Sequence, residues 1–166
     1  MSILWILVGF VIVQRLAELV LARRNARRLL ADGGVESGAK HYPLFILLHG
    51  GWLLALLILV PPDASANPAL VSLFVVLQGL RVWIIASLGQ HWTTRIIVIP
   101  GKPLVRCGPY RWIRHPNYLV VAAEIAVLPL VFAAWKIAIV FSLLNTALLA
   151  WRIRVENEAL RRQPTN

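Results

Sequence analysis

Pro68-Ala-Leu-Val-Ser-Leu-Phe-Val-Val-Leu-Gln-Gly-Leu-Arg-Val-Trp-Ile-Ile-Ala-Ser-Leu-Gly89 is an apolar run of the length a helix needs to cross a bilayer, roughly 20 residues. The turn-like Asp63-Ala-Ser-Ala-Asn67 leads into it. Four more runs of the same kind flank it: Ile3–Leu21, Pro43–Val60, Tyr118–Ala134 and Lys136–Ala150. Gln14, Arg15 and Glu18 interrupt the first, Pro61-Pro62 stop the second, and Glu124 and Pro129 lie inside the fourth. The fifth is short and continues as a helix beyond the lipid through Arg152–Arg162. Ala133-Ala-Trp-Lys136 is too brief for anything but a helical hairpin. The pattern predicts an all-α polytopic membrane bundle of about five transmembrane helices, without internal repeats.

Composition agrees. Of 166 residues, 59% are hydrophobic and only 14% charged, which sets the chain among integral membrane proteins. The length suits one bundle, a single domain over 1–166, with N-terminal spans in 3–89 and a second half over 90–162. A lone cysteine, Cys107, excludes an intramolecular disulfide framework and a multi-cysteine metal site. A net charge of +10 is common in nucleic-acid-binding proteins, but here the basic residues cluster beside apolar runs, as at the cytoplasmic face of a membrane. Nucleic acid is therefore not an expected partner. Ser2–Leu21 lacks a basic leader and a small-residue cleavage site, so it reads as a retained span rather than a signal peptide.

Arginine and lysine placement predicts orientation. Arg23, Arg24, Arg27, Arg28 and Lys40 follow the first span, Arg95 through Arg114 precede the fourth, and Arg152 through Arg162 follow the fifth. Pro61–Asn67 and Trp135–Lys136 carry one lysine between them. Five spans then alternate consistently, with the N-terminus outside and the C-terminus in the cytoplasm.

Several polar residues have plain readings. Arg15 and Glu18, three apart on one helix face, read as a local ion pair or as a contact to a catalytic loop or substrate. His41, His49, His91 and His115 contain no pair at the three- or four-residue spacing of metal ligands, so no metal is expected. His49 beside Gly50-Gly51 reads as a helix-packing feature. Cys107, without a base, reads as a small filler residue rather than a nucleophile.

Gly101–Tyr118 is different. Gly101, Pro103, Gly108, Pro109 and Pro116 fix the backbone into turns. Tyr110, Trp112 and Tyr118 offer flat faces for a heteroaromatic ring, and Lys102, Arg106, Arg111 and Arg114 offer charge for anions. Such a segment either lines a pocket or anchors at the headgroups. Arg152 and Glu156, four apart beyond the last span, share a helix face. They form a surface ion pair, or else they close one pocket with the Gly101–Tyr118 segment.

Gly-Pro-Tyr-x-x-x-Arg-His-Pro-x-Tyr at Gly108–Tyr118, followed by Arg-x-x-x-Glu-x-x-x-Leu at Arg152, Glu156 and Leu160, resembles the isoprenylcysteine carboxyl methyltransferase family. The resemblance covers roughly Gln90 to Leu160. It implies a cytoplasm-facing pocket for S-adenosylmethionine in the second half of the chain. Cofactor contacts would come from Lys102, Pro103, Leu104, Val105, Tyr110, His115, Pro116, Asn117, Tyr118 and Glu156. Arg152 corresponds to the arginine near the substrate, and Arg95 lies near a position that is glutamine in eukaryotic members. Asn157 stands where many members carry a second acid, and no Phe-Gly-x-x-Tyr segment follows it.

The chemistry implied suits these residues. In-line methyl transfer needs alignment more than acid–base help, and Arg152 would hold and aim an anionic acceptor oxygen. The acceptor would be a lipophilic or lipidated molecule entering sideways from the bilayer, while the cofactor enters from the cytoplasm. The similarity to small bacterial members points to a bacterial cytoplasmic membrane and to acceptors such as alkylpyrones and alkylresorcinols, with isoprenylcysteine-like carboxylates beside them. N-methylation of phospholipid amines, an NADPH-dependent membrane reductase of similar architecture, and a non-enzymatic membrane subunit are the competing readings. Oligomeric state is not legible.

Overall fold

The computed structural model describes residues 2–39, 42–101 and 106–161. They form five helices: α1 (Ile3–Ala31), α2 (Tyr42–Leu59), α3 (Pro68–Leu88), α4 (Pro116–Val131) and α5 (Trp135–Arg161). α1, α2, α3 and α5 are long and apolar enough to cross a membrane. α4 is shorter, 16 residues or roughly 24 Å, and it packs between α3 and α5.

Local chemistry sets the helix starts. Asn67 caps α3, its side-chain oxygen accepting from the Ala69 and Leu70 amides, with Pro68 in the first turn where a missing N–H costs nothing. Ser2 caps α1 by accepting from the Leu4 amide, and its hydroxyl donates to the Pro62 carbonyl. Pro116 opens α4 directly after His115, whose side chain makes no capping bond. That leaves the His115 imidazole available for other contacts.

α1 runs ten residues past Leu21, the end of the apolar run that predicts the first span. Arginine and leucine are good helix formers, and a cationic last turn complements the helix dipole. The helix stops at two glycines. Gly33 adopts φ 85°, its amide bonding Leu30 O, while the Gly34 amide bonds Leu29 O at 2.8 Å. This 6→1 and 5→2 pattern satisfies the last carbonyls. A side chain at Gly34 would strike Leu29 O and Ile97.

Beyond that turn, β1 (Val35–Ser37) pairs antiparallel with β2 (Ile96–Val98), Glu36 facing Ile97. No alternation of apolar and polar residues announces this pair, since each strand is only three residues long.

The inner faces share one core: Leu4, Val8 and Val11 of α1, Trp52 and Leu56 of α2, Phe74 of α3, and Ile125 and Leu128 of α4. Val13, Val20, Leu47, Ile58, Val75, Val82 and Leu143 point outward, exposed. An apolar outer surface of this kind is unfavourable in water and favourable in lipid. The molecule is an integral membrane protein.

Contacts at the two ends fix the up-and-down order. Ser2 reaches Pro62, and the Asn67 amide bonds the Val131 carbonyl at 2.9 Å, so the start of α1, the α2–α3 turn and the end of α4 share one end. At the other end, Asn25 Nδ2 donates to the carbonyls of Gly89 and Trp92, and Tyr118 meets Arg152 and Glu156. α4 therefore runs from one end of the bundle to the other despite its length. The arginines of α1, the Gly108–Tyr118 motif and the arginines of α5 gather at the second end.

Candidate active site

At this basic end the two separated motifs meet through one hydroxyl. Tyr118 lies in the first turn of α4, and its OH donates to Glu156 Oε2 at 2.5 Å while accepting from Arg152 Nε at 2.8 Å. Arg152 and Glu156 make no direct ion pair among the described residues. The tyrosine stands between them, which replaces the surface-pair alternative.

His115 stacks on the Tyr118 ring, centroids 5.2 Å apart and planes 13° from parallel, with Nδ1 3.9 Å from Glu156 Oε1. The Arg152 guanidinium sits against the Phe45 and Tyr118 rings, 5.5 and 5.6 Å from their centroids. Arg152 is 9% exposed. Apart from Nε, its guanidinium nitrogens have no hydrogen-bond partner among the described residues. They form an open fork of the sort that binds an oxyanion.

The Gly108–Arg111 segment forms a 3-10 turn held against α3. Gly108 approaches so closely that an added Cβ would collide with the Ser87 side chain, and its φ is 52°. The Cys107 thiol donates to the Ser87 carbonyl at 2.8 Å, which makes this exposed residue a tether. Tyr110, in the same turn, has its phenol pushed well above the ordinary tyrosine range by burial, then by the Glu156 carboxylate and Cys107. It is a neutral ring and hydroxyl at any physiological pH.

Of the other expected site residues, Pro116 is buried as the first residue of α4. Asn117 lines the cavity described below, with Oδ1 buried and unpartnered among the described residues. Lys102, Pro103, Leu104 and Val105 lie outside the described residues. Arg95 is not brought to Arg152. It pairs with Glu36 at 3.1 Å and lies over the Tyr42 ring, 41% of its side chain exposed.

From Arg152 and Tyr118 a cavity of about 280 Å³ extends into the bundle. Its walls are mainly apolar, with Ile12, Leu16 and Leu19 from α1, Phe45, Ile46 and Leu53 from α2, and Val121 from α4. Leu16 and Ile46 also belong to the exposed outer surface. The cavity thus reaches the side of the bundle between α1 and α2.

Its polar floor was not expected as a unit. Arg81 grips Glu18 with two bonds, Nε to Oε1 at 2.5 Å and Nη2 to Oε2 at 2.6 Å, and reaches Glu124 Oε2 at 3.0 Å. Arg15 bonds Glu18 at 3.0 Å and Glu124 at 2.5 Å. Gln14 and Gln78 donate to Glu18 and Glu124. The local Arg15–Glu18 pair is therefore one edge of a neutral four-charge network joining α1, α3 and α4. An arginine inside an apolar run, Arg81, was the available signal, because such a charge needs a buried partner.

Comparison with known proteins gives the site its context. The model of the isoprenylcysteine carboxyl methyltransferase (ICMT) family matches residues 70–162, which include the Gly108–Tyr118 motif, Arg152 and Glu156. The chain is 39% identical over 160 residues to uncharacterized protein YpbQ of Bacillus subtilis, covering 94% of this chain and 95% of that one. It is 24% identical over 151 residues to an uncharacterized protein of Haemophilus influenzae, covering 88% of each. No solved structure matches it. The family match and the membrane bundle together identify the chain as a member of the isoprenylcysteine carboxyl methyltransferase family, membrane methyltransferases acting on lipophilic substrates.

Proposed function

We propose that this protein transfers a methyl group from S-adenosylmethionine to an anionic oxygen, carboxylate or enol/phenol, on a lipophilic acceptor. The observation that carries this reading is the Tyr118 hydroxyl held between Glu156 and Arg152, which couples a hydroxyl-accepting carboxylate to an open guanidinium fork.

The residues fit the cofactor. Glu156 Oε1, 3.9 Å from His115, keeps acceptor capacity for ribose hydroxyls, and the orphaned Asn117 Oδ1 accepts a donor. The stacked His115 and Tyr118 rings and neutral Tyr110 provide surfaces for a flat base. S-adenosylmethionine, when bound, supplies an electrophilic methyl on a sulfonium.

The chain's own task is alignment. Tyr118 fixes the Arg152 side chain through Nε, so the remaining guanidinium nitrogens present one orientation to an acceptor oxyanion. A carboxylate or an acidic enol is already ionised at neutral pH and needs no general base. A phenol, with a pKa of about 10, must first release its proton to water, a loss that the Arg152 cation favours. Apolar walls exclude water and hold the acceptor's tail, and the opening beside Leu16 and Ile46 lets that tail reach lipid. In this reading residues 3–89 supply most of the acceptor wall and 90–162 hold the cofactor, at the cytoplasmic face of a bacterial membrane.

The test is calorimetric titration of purified detergent-solubilised protein with S-adenosylmethionine and with NADPH, beside transfer of radiolabelled methyl to an alkylpyrone, an alkylresorcinol, a prenylcysteine and a lipid amine. Cofactor binding with label on an oxygen acceptor is the expected result. Binding of NADPH alone overturns the reading, and label on the amine alone overturns the oxygen acceptor.

A further inference from the structure

The cavity has a second polar station beyond Arg152. His49 lines it, one helical turn further into the bundle than Phe45, whose ring packs against the Arg152 guanidinium. Four residues along α2 correspond to roughly 6 Å of axial rise, about the width of an aromatic ring.

His49 Nδ1 lies 2.8 Å from the Phe45 carbonyl oxygen. A carbonyl only accepts, so Nδ1 carries the proton, and in the neutral ring Nε2 is a lone-pair acceptor. That nitrogen has no hydrogen-bond partner among the described residues. The neighbouring glycines divide by role. Gly51 packs near Phe141 of α5, with an added Cβ 3.8 Å from its ring, and so serves helix contact. Gly50 lines the cavity, and a Cβ there would meet nothing within 4 Å. The packing expectation holds for Gly51, while His49 and Gly50 belong to the cavity wall.

We propose that His49 is a second anchoring point for the acceptor. With the reacting anionic oxygen at Arg152, a hydroxyl one ring width away donates to His49 Nε2. The preferred acceptor is then an aromatic lipid whose ring bears both an anionic oxygen and a hydroxyl, rather than a chain ending in a single carboxylate. A purely apolar group at this depth leaves Nε2 unpaired in a site cut off from water. A hydroxyl pairs it, and the alkyl tail leaves between Leu16 and Ile46. The inference rests on the methyltransferase reading and narrows its substrate class.

Two probes differing by one hydroxyl test it: a meta-hydroxybenzoate with an undecyl tail, and the same undecylbenzoate without the hydroxyl. Binding is read from quenching of tryptophan fluorescence, since Trp92 lines the cavity and Trp52 meets the His49 ring edge-on. Transfer is read with radiolabelled S-adenosylmethionine. Wild type is expected to bind the hydroxylated probe at least about tenfold more tightly. His49→Leu should collapse that preference to within about twofold, and His49→Gln, which keeps an acceptor atom, should restore part of it.

Equal affinity of wild type for both probes overturns the inference. So does a His49→Leu variant that retains the preference, or a His49→Gln variant no better than His49→Leu. Failure of the underlying reading looks different: no S-adenosylmethionine binding in the same preparation, whatever the probe preference. Methyl transfer without discrimination between the probes sinks this inference alone.

Discussion

Tyr118 links Arg152 to Glu156, and the proposed function gives these two neighbours separate duties. Arg152→Lys keeps the charge and loses the planar fork. Single-turnover transfer should fall on the order of a hundredfold, the cost of an acceptor misplaced by about 1 Å, while calorimetry shows nearly unchanged S-adenosylmethionine affinity. Glu156→Ala should do the reverse, weakening the cofactor by ~1–3 kcal/mol through a hydrogen bond left unmade. His115→Ala should also lose cofactor affinity first, because its ring stacks beside Glu156 and not in the cavity. If Arg152→Lys loses cofactor affinity and keeps its saturated rate, the assignment of roles is reversed. At this scale the sequence was informative. The motif residues were legible as a set because their types and spacings are unusual for a membrane edge. The hydroxyl bridge was not legible, since nothing in spacing alone says that Tyr118 lies between Arg152 and Glu156.

Among the helices, the four-charge network is the main interaction that no single element could reveal. Arg81→Met removes one cation and leaves Glu18 and Glu124 sharing Arg15, so destabilisation of about 3–5 kcal/mol is expected, read from denaturant unfolding in detergent. The double change Arg81→Met with Glu18→Leu leaves the neutral Arg15–Glu124 pair, 2.5 Å apart, and should recover much of the loss. A double variant less stable than Arg81→Met would show that the network is not balanced pairwise. Arg15 and Glu18 were visible as neighbours on one helix. Arg81 and Glu124 come from α3 and α4, and pairing across 63 and 43 residues is decided by helix packing. The end of α1 tells a similar story. The arginines after Leu21 end the apolar run, yet their helix propensity and the Gly33-Gly34 stop carry the helix to Ala31.

For the whole molecule, the expectation concerns sidedness. The three basic segments lie at one end of the bundle, and the proposed orientation puts that end in the cytoplasm. On a Cys107→Ser background, a cysteine at Ser37 should be protected from a membrane-impermeant thiol reagent in intact cells, and one at Asp63 should be labelled. The opposite pattern inverts the molecule, and labelling of both from outside breaks the up-and-down order. α4 is the element to watch. Its 16 residues fall short of the four longer helices, yet its ends meet Asn67 on one side and Arg152 on the other.

Hydropathy and residue spacing were enough to read the membrane class, the helical fold and the family motif. Runs of apolar residues have no alternative in lipid to helices that satisfy their own backbone, and Gly108–Tyr118 with Arg152 and Glu156 stands out against such a background. Tertiary structure alone decided which polar groups share a space. It joined Arg15 and Glu18 to Arg81 and Glu124, held Arg95 away from Arg152 by pairing it with Glu36, and turned His49 from a packing residue into part of a cavity wall. The charge network and the placement of His49 depend on the rotation of one helix against another, and the Arg95–Glu36 pair follows the pairing of β1 with β2. Hydropathy and spacing constrain where a helix lies in the chain, but its facing is set by the packing of side chains drawn from distant segments.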